Sequence, residues 1–212
     1  MRPGRGMRIA GWVLVPLGVG VLVGCAVGFV GGYAGHTIAS SSMEPTYAPG
    51  SRLFFEKVEP SEVRRGDVVA YRMPERYEGE LVVQRVIGVG GDRVVSDGTA
   101  VTLNGEPLVE PYVRGGDPVG DGMRYDVTVP EGRVFVLGDD RGNSRDSRYF
   151  TDESPGGTVP VGVVSERVLE SGTVPVLLGV GMVGGAISLI VGGGLGLAGW
   201  LTGRRPGADA GI

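Results

Sequence analysis

The sequence predicts a mostly β domain between two membrane-spanning α-helices. Two long stretches, residues 9–43 and 171–203, contain no Asp, Glu, Lys or Arg. Between them, short runs of β-branched and aromatic residues alternate with turn residues, which is the pattern of antiparallel strands joined by tight turns. No long amphipathic helix pattern stands out between residues 40 and 170. The length of 212 residues suits one compact domain with appended segments.

The two uncharged stretches are long enough to cross a membrane. Their apolar parts cover residues 9–30 and 174–201, and a spanning helix needs about 20 mostly apolar residues. The alternatives are a buried core helix and, for the first stretch, a cleaved secretory signal ending near residues 37–39. Both runs are too long for a core helix of a small domain and lack the polar face of a helix that lies at its surface, and the apolar run of a signal peptide covers only about 7–15 residues. We therefore predict two spans.

One feature of the first span predicts how it packs. Gly20, Gly24, Gly28 and Gly32 recur every four residues, and such a stripe of small residues lets helices approach closely. The glycine-rich composition of the chain is the alternative explanation, because 41 of the 212 residues are glycine.

Charge predicts the orientation of the spans. The terminal flanks carry five arginines and one aspartate, whereas residues 40–170 carry 15 basic and 23 acidic residues. Positively charged flanks stay in the cytoplasm. The predicted organisation is a cytoplasmic tail and anchor (1–35), an extracytoplasmic β domain (36–170), a second span (171–203) and a cytoplasmic tail (204–212). The chain would thus be a multi-pass protein of the cytoplasmic membrane.

Composition also excludes some functions. The formal net charge of −4 argues against binding to nucleic acid. Cys25 is the only cysteine, which excludes a multi-cysteine zinc site. No metal or organic cofactor is expected.

Eight runs in the middle of the chain are predicted to be strands. Asn104-Gly105 lies between residues 101–103 and residues 106–109 and is a strong signal for a two-residue hairpin turn. Residues 115–124 are rich in Gly and Asp and predict a mobile surface loop. The predicted strands cover residues 52–55, 67–72, 81–89, 93–95, 100–103, 127–129, 134–137 and 161–164.

Polar residues that could carry chemistry are concentrated in two segments. Residues 40–46 (SSSMEPT) follow the first span, and residues 138–148 (GDDRGNSRDSR) follow the apolar run 134–137. Taken singly, the first segment could be a solvated linker and the second a turn with internal salt bridges.

Together with two shorter blocks, these segments resemble type I signal peptidases, which are membrane-bound serine endopeptidases. Residues 65–69 (RGDVV) resemble the R-G-D strand of that family, and residues 84–92 (QRVIGVGGD) resemble its lysine block. The four blocks occur in the family order, and the resemblance covers residues 38–168 and the N-terminal anchor. The second span resembles actinobacterial forms. The resemblance implies a partly barrel-like domain of antiparallel sheets that removes signal peptides from secreted precursors. The implied partners are those signal peptides, the lipid bilayer and the secretion translocon.

The resemblance also implies roles for individual residues. Ser42 would be the nucleophile, and the Ser42 N–H and the Ser40 hydroxyl would form the oxyanion hole. Ser144 would orient the base, and Asp146 and Arg148 would form an ion pair in the wall of the site. Met43 and Pro45 would shape the turn that presents the nucleophile.

Gln84 departs from the family pattern, because it occupies the position of the general-base lysine. A carboxamide has no amine that titrates near neutral pH, so it cannot accept the Ser42 proton as a lysine does. Arg85 stays protonated in proteins, which leaves Lys57, His36 or an acidic group such as Asp140 as substitute bases.

Two milder departures are Gly90 in place of a proline and Asp140 in place of an asparagine.

Loss of a general base costs about 100- to 10,000-fold in rate. The sequence therefore leaves open a slow or base-displaced signal peptidase and a non-catalytic relative that binds signal peptides or assists another peptidase. A self-cleaving repressor with a similar core is disfavoured, since it would carry a DNA-binding segment and no spans.

Overall fold

The computed structural model describes residues 4–153 and 155–203, and these form two compact units. One unit contains the terminal helices α1 (Arg5–Gly32) and α3 (Thr173–Gly203). The other is the β domain, Ala34–Glu170. Both terminal helices are long and apolar enough to cross a membrane, so the two apolar stretches form helices as predicted.

Helices α1 and α3 pack through glycines that recur every seven residues. Gly11 and Gly18 are buried on α1, and Gly185 and Gly192 are buried on α3. A Cβ atom at Gly11 would lie 2.7 Å from the carbonyl oxygen of Gly192, and one at Gly18 would lie 2.8 Å from that of Gly185. Any larger side chain would therefore push the two backbones apart.

The predicted packing stripe with a four-residue spacing is wrong. A Cβ at Gly20, Gly24 or Gly32 would meet nothing within 4 Å, and one at Gly28 would make only ordinary contact with Leu178. The physical reason is helical geometry. Residues spaced by seven drift only about 20° around the helix and so stay on the face that meets the partner helix. Residues spaced by four rotate further with each step and so leave that face sooner.

The β domain contains two antiparallel sheets and one short helix, α2 (Pro74–Tyr77). The strands are β1 (Tyr33–Thr37), β2 (Arg52–Lys57), β3 (Val68–Arg72), β4 (Leu81–Val89), β5 (Arg93–Asp97), β6 (Val101–Leu103), β7 (Glu106–Pro107), β8 (Arg124–Thr128), β9 (Arg133–Leu137), β10 (Val159–Pro160) and β11 (Val164–Val168). The larger sheet has the order β1-β2-β11-β3-β4-β9-β10 and the smaller has the order β7-β6-β5-β8. Within the described residues neither sheet closes into a barrel, and the predicted antiparallel two-sheet class is confirmed.

Strand β9 shows how alternation along the sequence builds the core. Val134 and Val136 enter one hydrophobic cluster together with Val69 of β3. Phe135 and Leu137 point the other way, into a cluster that includes residues of the smaller sheet. Successive side chains of a strand face opposite sides, so β9 is buried on both faces. Because β9 is held in the core up to its last residue, Leu137, the polar segment 138–148 starts from a fixed position at the end of this strand.

The hairpin prediction is confirmed, and one strand prediction is not. Asn104 and Gly105 have φ angles of +56° and +88°, and Leu103 pairs with Glu106 across them. Residues 161–163 form a 3-10 turn instead of a strand, and β11 begins only at Val164. Gly162 interrupts this valine-rich run, and apolar composition alone cannot separate a turn from a strand end.

Candidate active site

The first polar segment forms a tight turn whose anchor is Met43. The Met43 side chain is fully buried in a cluster with Ile38 and Phe55. The Tyr47 N–H donates to the Met43 carbonyl at 2.8 Å, which closes the turn. Ser42, next to this anchor, is half-buried, and its N–H donates to Ser40 Oγ at 3.1 Å. The turn therefore presents Ser42 from a fixed backbone.

The second polar segment lies directly against this turn. The Asp140 N–H donates to the Ser42 carbonyl oxygen at 2.9 Å. The Asn143 side chain donates to Ser41 Oγ at 2.6 Å. These two hydrogen bonds join segments that are almost 100 residues apart in the sequence, and they place Ser144 beside the turn.

Ser144 is buried, and within the described residues its hydroxyl has no hydrogen-bond partner. A buried hydroxyl without a partner is costly, so it marks a position where another polar group is expected. Behind it, the guanidinium of Arg148 forms a buried ion pair with Asp146, with Nε 2.8 Å from Oδ1. Asp146 also accepts the Gly138 N–H at 3.1 Å, so the pair holds the backbone of the segment.

Gln84 lies on β4 in the interior of the larger sheet and is 1 % exposed. The Tyr71 hydroxyl donates to Gln84 Oε1 at 2.6 Å, and Gln84 Nε2 donates to the Arg145 carbonyl at 2.9 Å. Burial raises the pKa of Tyr71 well above its usual value, so the phenol keeps its proton at neutral pH. Both polar ends of the Gln84 amide are therefore engaged.

A single cavity of about 890 Å³ brings most of the predicted residues together. Asp146 and Arg148 are buried and do not line the cavity, and Pro45 is exposed and does not line it either. The cavity also has an apolar side, which includes Ile38, Leu81 and Val83. The predicted site residues that line the cavity are Ser40, Ser42, Met43, Gln84 and Ser144.

Known proteins are similar to this chain in sequence. The sequence profile of "signal peptidase, peptidase S26" matches residues 9–171. The chain belongs to the peptidase S26 family of signal peptidases. It is 34 % identical to a signal peptidase I of Bacillus caldolyticus over 56 % of this chain and 70 % of the relative. It is 37 % identical to a probable signal peptidase I-1 of Synechocystis over 53 % of this chain and 60 % of the relative.

Further similarities lie in the same family. A signal peptidase I of Mycobacterium tuberculosis is 33 % identical over 59 % of this chain and 60 % of the relative. The chain thus spans 60 to 70 % of the length of these three curated relatives. The crystal structure of a signal peptidase I from Enterococcus faecalis is 31 % identical over 51 % of this chain and 97 % of that chain, with a TM-score of 0.40.

The structure also shows where the substitute bases lie in this S26 chain. His36 lines the cavity, but its Nε2 is 2.6 Å from a carboxylate oxygen of Glu166 and its ring packs edge-on against Phe55. Lys57 lies on β2 opposite Glu166 and is not among the cavity-lining residues. Within the described residues, neither side chain forms a hydrogen bond with Ser42.

Asp140 and Arg85 have structural partners. Asp140 Oδ2 accepts from Arg114 Nη1 at 2.7 Å, and the same nitrogen donates to Glu44 at 2.6 Å. The carboxylate at position 140 therefore connects a neighbouring loop to the turn that carries Ser42. Arg85 forms two hydrogen bonds, of 2.9 and 2.7 Å, with the carboxylate of Asp139.

Two contributors to the site, Asp139 and Tyr71, were not predicted from the sequence. The buried carboxylate of Asp139 accepts from Thr46 as well as from Arg85, and so joins the turn that carries Ser42 to β4. Tyr71 caps the Gln84 amide. Val69 of β3 pairs directly with Gln84 of β4. Tyr71 lies two residues after Val69, and side chains two residues apart on a strand face the same side, so strand alternation was the signal that could have found Tyr71. Asp139 gave no such signal, because its partners depend on the tertiary fold.

The departure at Gly90 also has a structural reason. A Cβ at Gly90 would lie 2.9 Å from Cα of Glu131. The turn between β4 and β5 therefore runs closer to its neighbour than a side chain at this position allows.

Proposed function

We propose that this chain is a signal peptidase I-type serine endopeptidase that removes signal peptides from secretory precursors. The observation that carries the proposal is the cavity that Ser40, Ser42, Gln84 and Ser144 share. Its apolar side suits small apolar side chains of a peptide, and the resemblance implies small residues at positions −1 and −3 of the substrate. The peptide would bind as an added β-strand, a common mode of peptide recognition.

In the proposed reaction, the Ser42 hydroxyl oxygen attacks the carbonyl carbon of the scissile bond and forms an acyl-enzyme, which water then hydrolyses. The amine leaves with a proton. The developing oxyanion would accept from the Ser42 N–H and the Ser40 hydroxyl. In the structure the Ser42 N–H donates to Ser40 Oγ at 3.1 Å, so the two groups are direct neighbours, and in the proposed reaction this hydrogen bond would be exchanged for the two hydrogen bonds to the oxyanion. Such a donor is typically worth about 3 kcal/mol in the transition state.

Removal of the Ser42 proton is the slow step of the proposed reaction. Gln84 has no lone pair on its nitrogen that can accept a proton, and its oxygen already accepts from Tyr71. We therefore expect turnover well below that of a family member with a lysine. The same contacts favour a second candidate function, a non-catalytic relative that binds signal peptides or assists another peptidase.

We also propose a membrane topology. Helices α1 and α3 would both cross the cytoplasmic membrane, with residues 36–170 outside and both termini in the cytoplasm. The arginine-rich flanks support this orientation, although Arg2, Arg204, Arg205 and Asp209 lie outside the described residues. The lipid bilayer and the secretion translocon would then be partners, and the segments would be residues 1–35, 36–170, 171–203 and 204–212.

Cleavage of a secretory precursor in liposomes tests the function. The variants are the native chain, Ser42→Ala, Gln84→Lys and the control Ser61→Ala, each measured across a range of pH. Ser61 is an exposed serine of the 3-10 helix Pro60–Glu62 and does not line the cavity, so its loss should leave cleavage largely intact.

We expect slow cleavage by the native chain, none by Ser42→Ala, and faster cleavage by Gln84→Lys. Cleavage that persists in Ser42→Ala would contradict the role of Ser42. Cleavage by Gln84→Lys alone would establish the non-catalytic relative instead. If the native chain cleaves, His36→Gln shows whether the imidazole supplies the base.

A further inference from the structure

Tyr71 and Gln84 form a buried pair on neighbouring strands beneath the cavity. Tyr71 is 0 % exposed on β3, and Gln84 is 1 % exposed on β4. The 2.6 Å hydrogen bond from the Tyr71 hydroxyl caps the amide oxygen of Gln84, and the amide nitrogen is held by the Arg145 carbonyl. The pair thus determines which atoms at position 84 are available to Ser42.

The direction of this hydrogen bond is set by chemistry. A neutral phenol has one proton to donate, and the amide oxygen can only accept. The edge of the Tyr77 ring packs against Tyr71 with centroids 6.1 Å apart, and Tyr77 itself donates to the Arg145 carbonyl at 3.2 Å. Tyr71 is therefore held by packing on one side while its hydroxyl points at position 84.

We propose that Tyr71 is a positioning residue that engages the Gln84 amide oxygen, so that this oxygen is not offered to the Ser42 hydroxyl, and that would likewise engage the lone pair of an amine placed at position 84. This inference rests on the proposed function. A neutral amine has a single lone pair, and a general base must offer that lone pair to the nucleophile. A buried phenol aimed at position 84 would donate to the same lone pair. Tyr71 and Gln84 are therefore a matched pair, and replacement of Gln84 alone removes only one of two obstacles to catalysis.

The variant Gln84→Lys distinguishes a positioning role of Tyr71 from a merely structural one. A lysine side chain is one atom longer than glutamine, so its amine reaches the region of the Tyr71 hydroxyl. A hydrogen bond to the neutral form of a base lowers its pKa. We therefore expect that the introduced lysine has a lower pKa but cleaves more slowly in Gln84→Lys than in Gln84→Lys/Tyr71→Phe. A merely structural role for Tyr71 would not produce this opposite movement of pKa and rate.

The experiment compares these two variants with the control Gln84→Lys/Tyr125→Phe. Tyr125 is also a buried tyrosine, but it packs against Phe135, and within the described residues its hydroxyl has no partner. The control therefore removes a buried phenol hydroxyl away from position 84. Each variant is assayed for precursor cleavage across pH. The chain contains one lysine, Lys57, so ¹³Cε-lysine labelling shows one additional NMR signal, and its titration gives the pKa of the introduced amine.

We expect Tyr71→Phe to raise the cleavage rate of Gln84→Lys by about 10-fold or more and to raise the pKa of the introduced lysine. In the control Gln84→Lys/Tyr125→Phe, we expect the same cleavage rate and the same lysine pKa as in Gln84→Lys. Equal pKa values with and without Tyr71→Phe would overturn the inference. If no variant cleaves, the proposed function fails, and the comparison of pKa values still decides the inference.

A second measurement covers the case in which Gln84→Lys does not fold. Gln84 is the only glutamine in the chain, so ¹⁵N-glutamine labelling gives one side-chain amide. In Tyr71→Phe the Gln84 amide oxygen loses its hydrogen bond, and we expect the ¹⁵N and ¹H chemical shifts of its NH₂ group to move further from the native values than they do in Tyr125→Phe. Unchanged chemical shifts in Tyr71→Phe would overturn the inference.

Discussion

Gly138 lies so close to Ser144 that a Cβ atom at Gly138 would be 2.2 Å from Ser144 Oγ. The same Cβ would be 2.6 Å from the carbonyl oxygen of Ser42. Gly138 therefore fills the narrow space between the proposed nucleophile turn and the serine proposed to orient the base. No other residue type fits there without moving one of them.

Gly138→Ala should accordingly destabilise the β domain. Overpacking of a close-packed interior costs about 1–3 kcal/mol, and here the obstacles include a backbone carbonyl that cannot rotate away. Gly142→Ala in the same segment is the control, since its Cβ would make only ordinary contact with Asp140 at 3.8 Å. Thermal or urea unfolding measures both variants. Equal stability of the two variants would contradict the close packing at Gly138.

Arg148→Met should cost much more stability than loss of an exposed ion pair. The change leaves the Asp146 carboxylate, which is 0 % exposed, without its cation, and breaking a buried pair typically costs about 3–5 kcal/mol. Arg93→Met is the control, because the Arg93–Asp126 pair is more than half exposed on both sides and such pairs contribute little. Urea unfolding of both variants makes the comparison, and similar midpoints would contradict the structural role of Arg148.

Gly181→Cys should form a disulfide with Cys25 and so report the packing of α1 against α3. A Cβ at Gly181 would lie 3.7 Å from the Cβ of Cys25, which is close to the Cβ–Cβ separation of about 3.8 Å in disulfides. Mild oxidation in liposomes, followed by non-reducing electrophoresis of protease-nicked protein, detects the link. Gly184→Cys is the control, since a Cβ there meets nothing within 4 Å. Equal linkage in both variants would contradict the packing.

Asp97→Asn should destabilise the protein at neutral pH but not at strongly acidic pH. Backbone hydrogen bonds from Thr99 and Ala100, together with the Thr99 hydroxyl, lower the pKa of Asp97 to about 2. Because the folded-state pKa lies below the unfolded value of about 3.9, this stabilisation is present above pH 4 and is lost as the pH falls through about 2. Thermal unfolding between pH 7 and pH 2 should show the native and variant melting temperatures converging. A constant gap would contradict the prediction.

Much of the fold could be predicted from local sequence patterns. The uncharged stretches form α1 and α3, the predicted strand over residues 81–89 is β4 with the same bounds, and Asn104-Gly105 forms the expected turn. Each of these depends on side chains that are neighbours along the chain, where hydrophobic run length, alternation and turn chemistry act directly. The same is true of the four blocks that indicated the family.

The sequence by itself determined the two apolar helices, the antiparallel strands and the polar segments from which the candidate site is built. Only the tertiary structure decided which glycines lie between the helices, that Asp140 pairs with Arg114, that Asp139 pairs with Arg85, and that Tyr71 caps Gln84. The physical reason is sequence distance. These contacts join residues brought together by sheet order and helix packing, and hydrogen bonds and close contacts act only over a few ångströms, so no local pattern reports which partners meet.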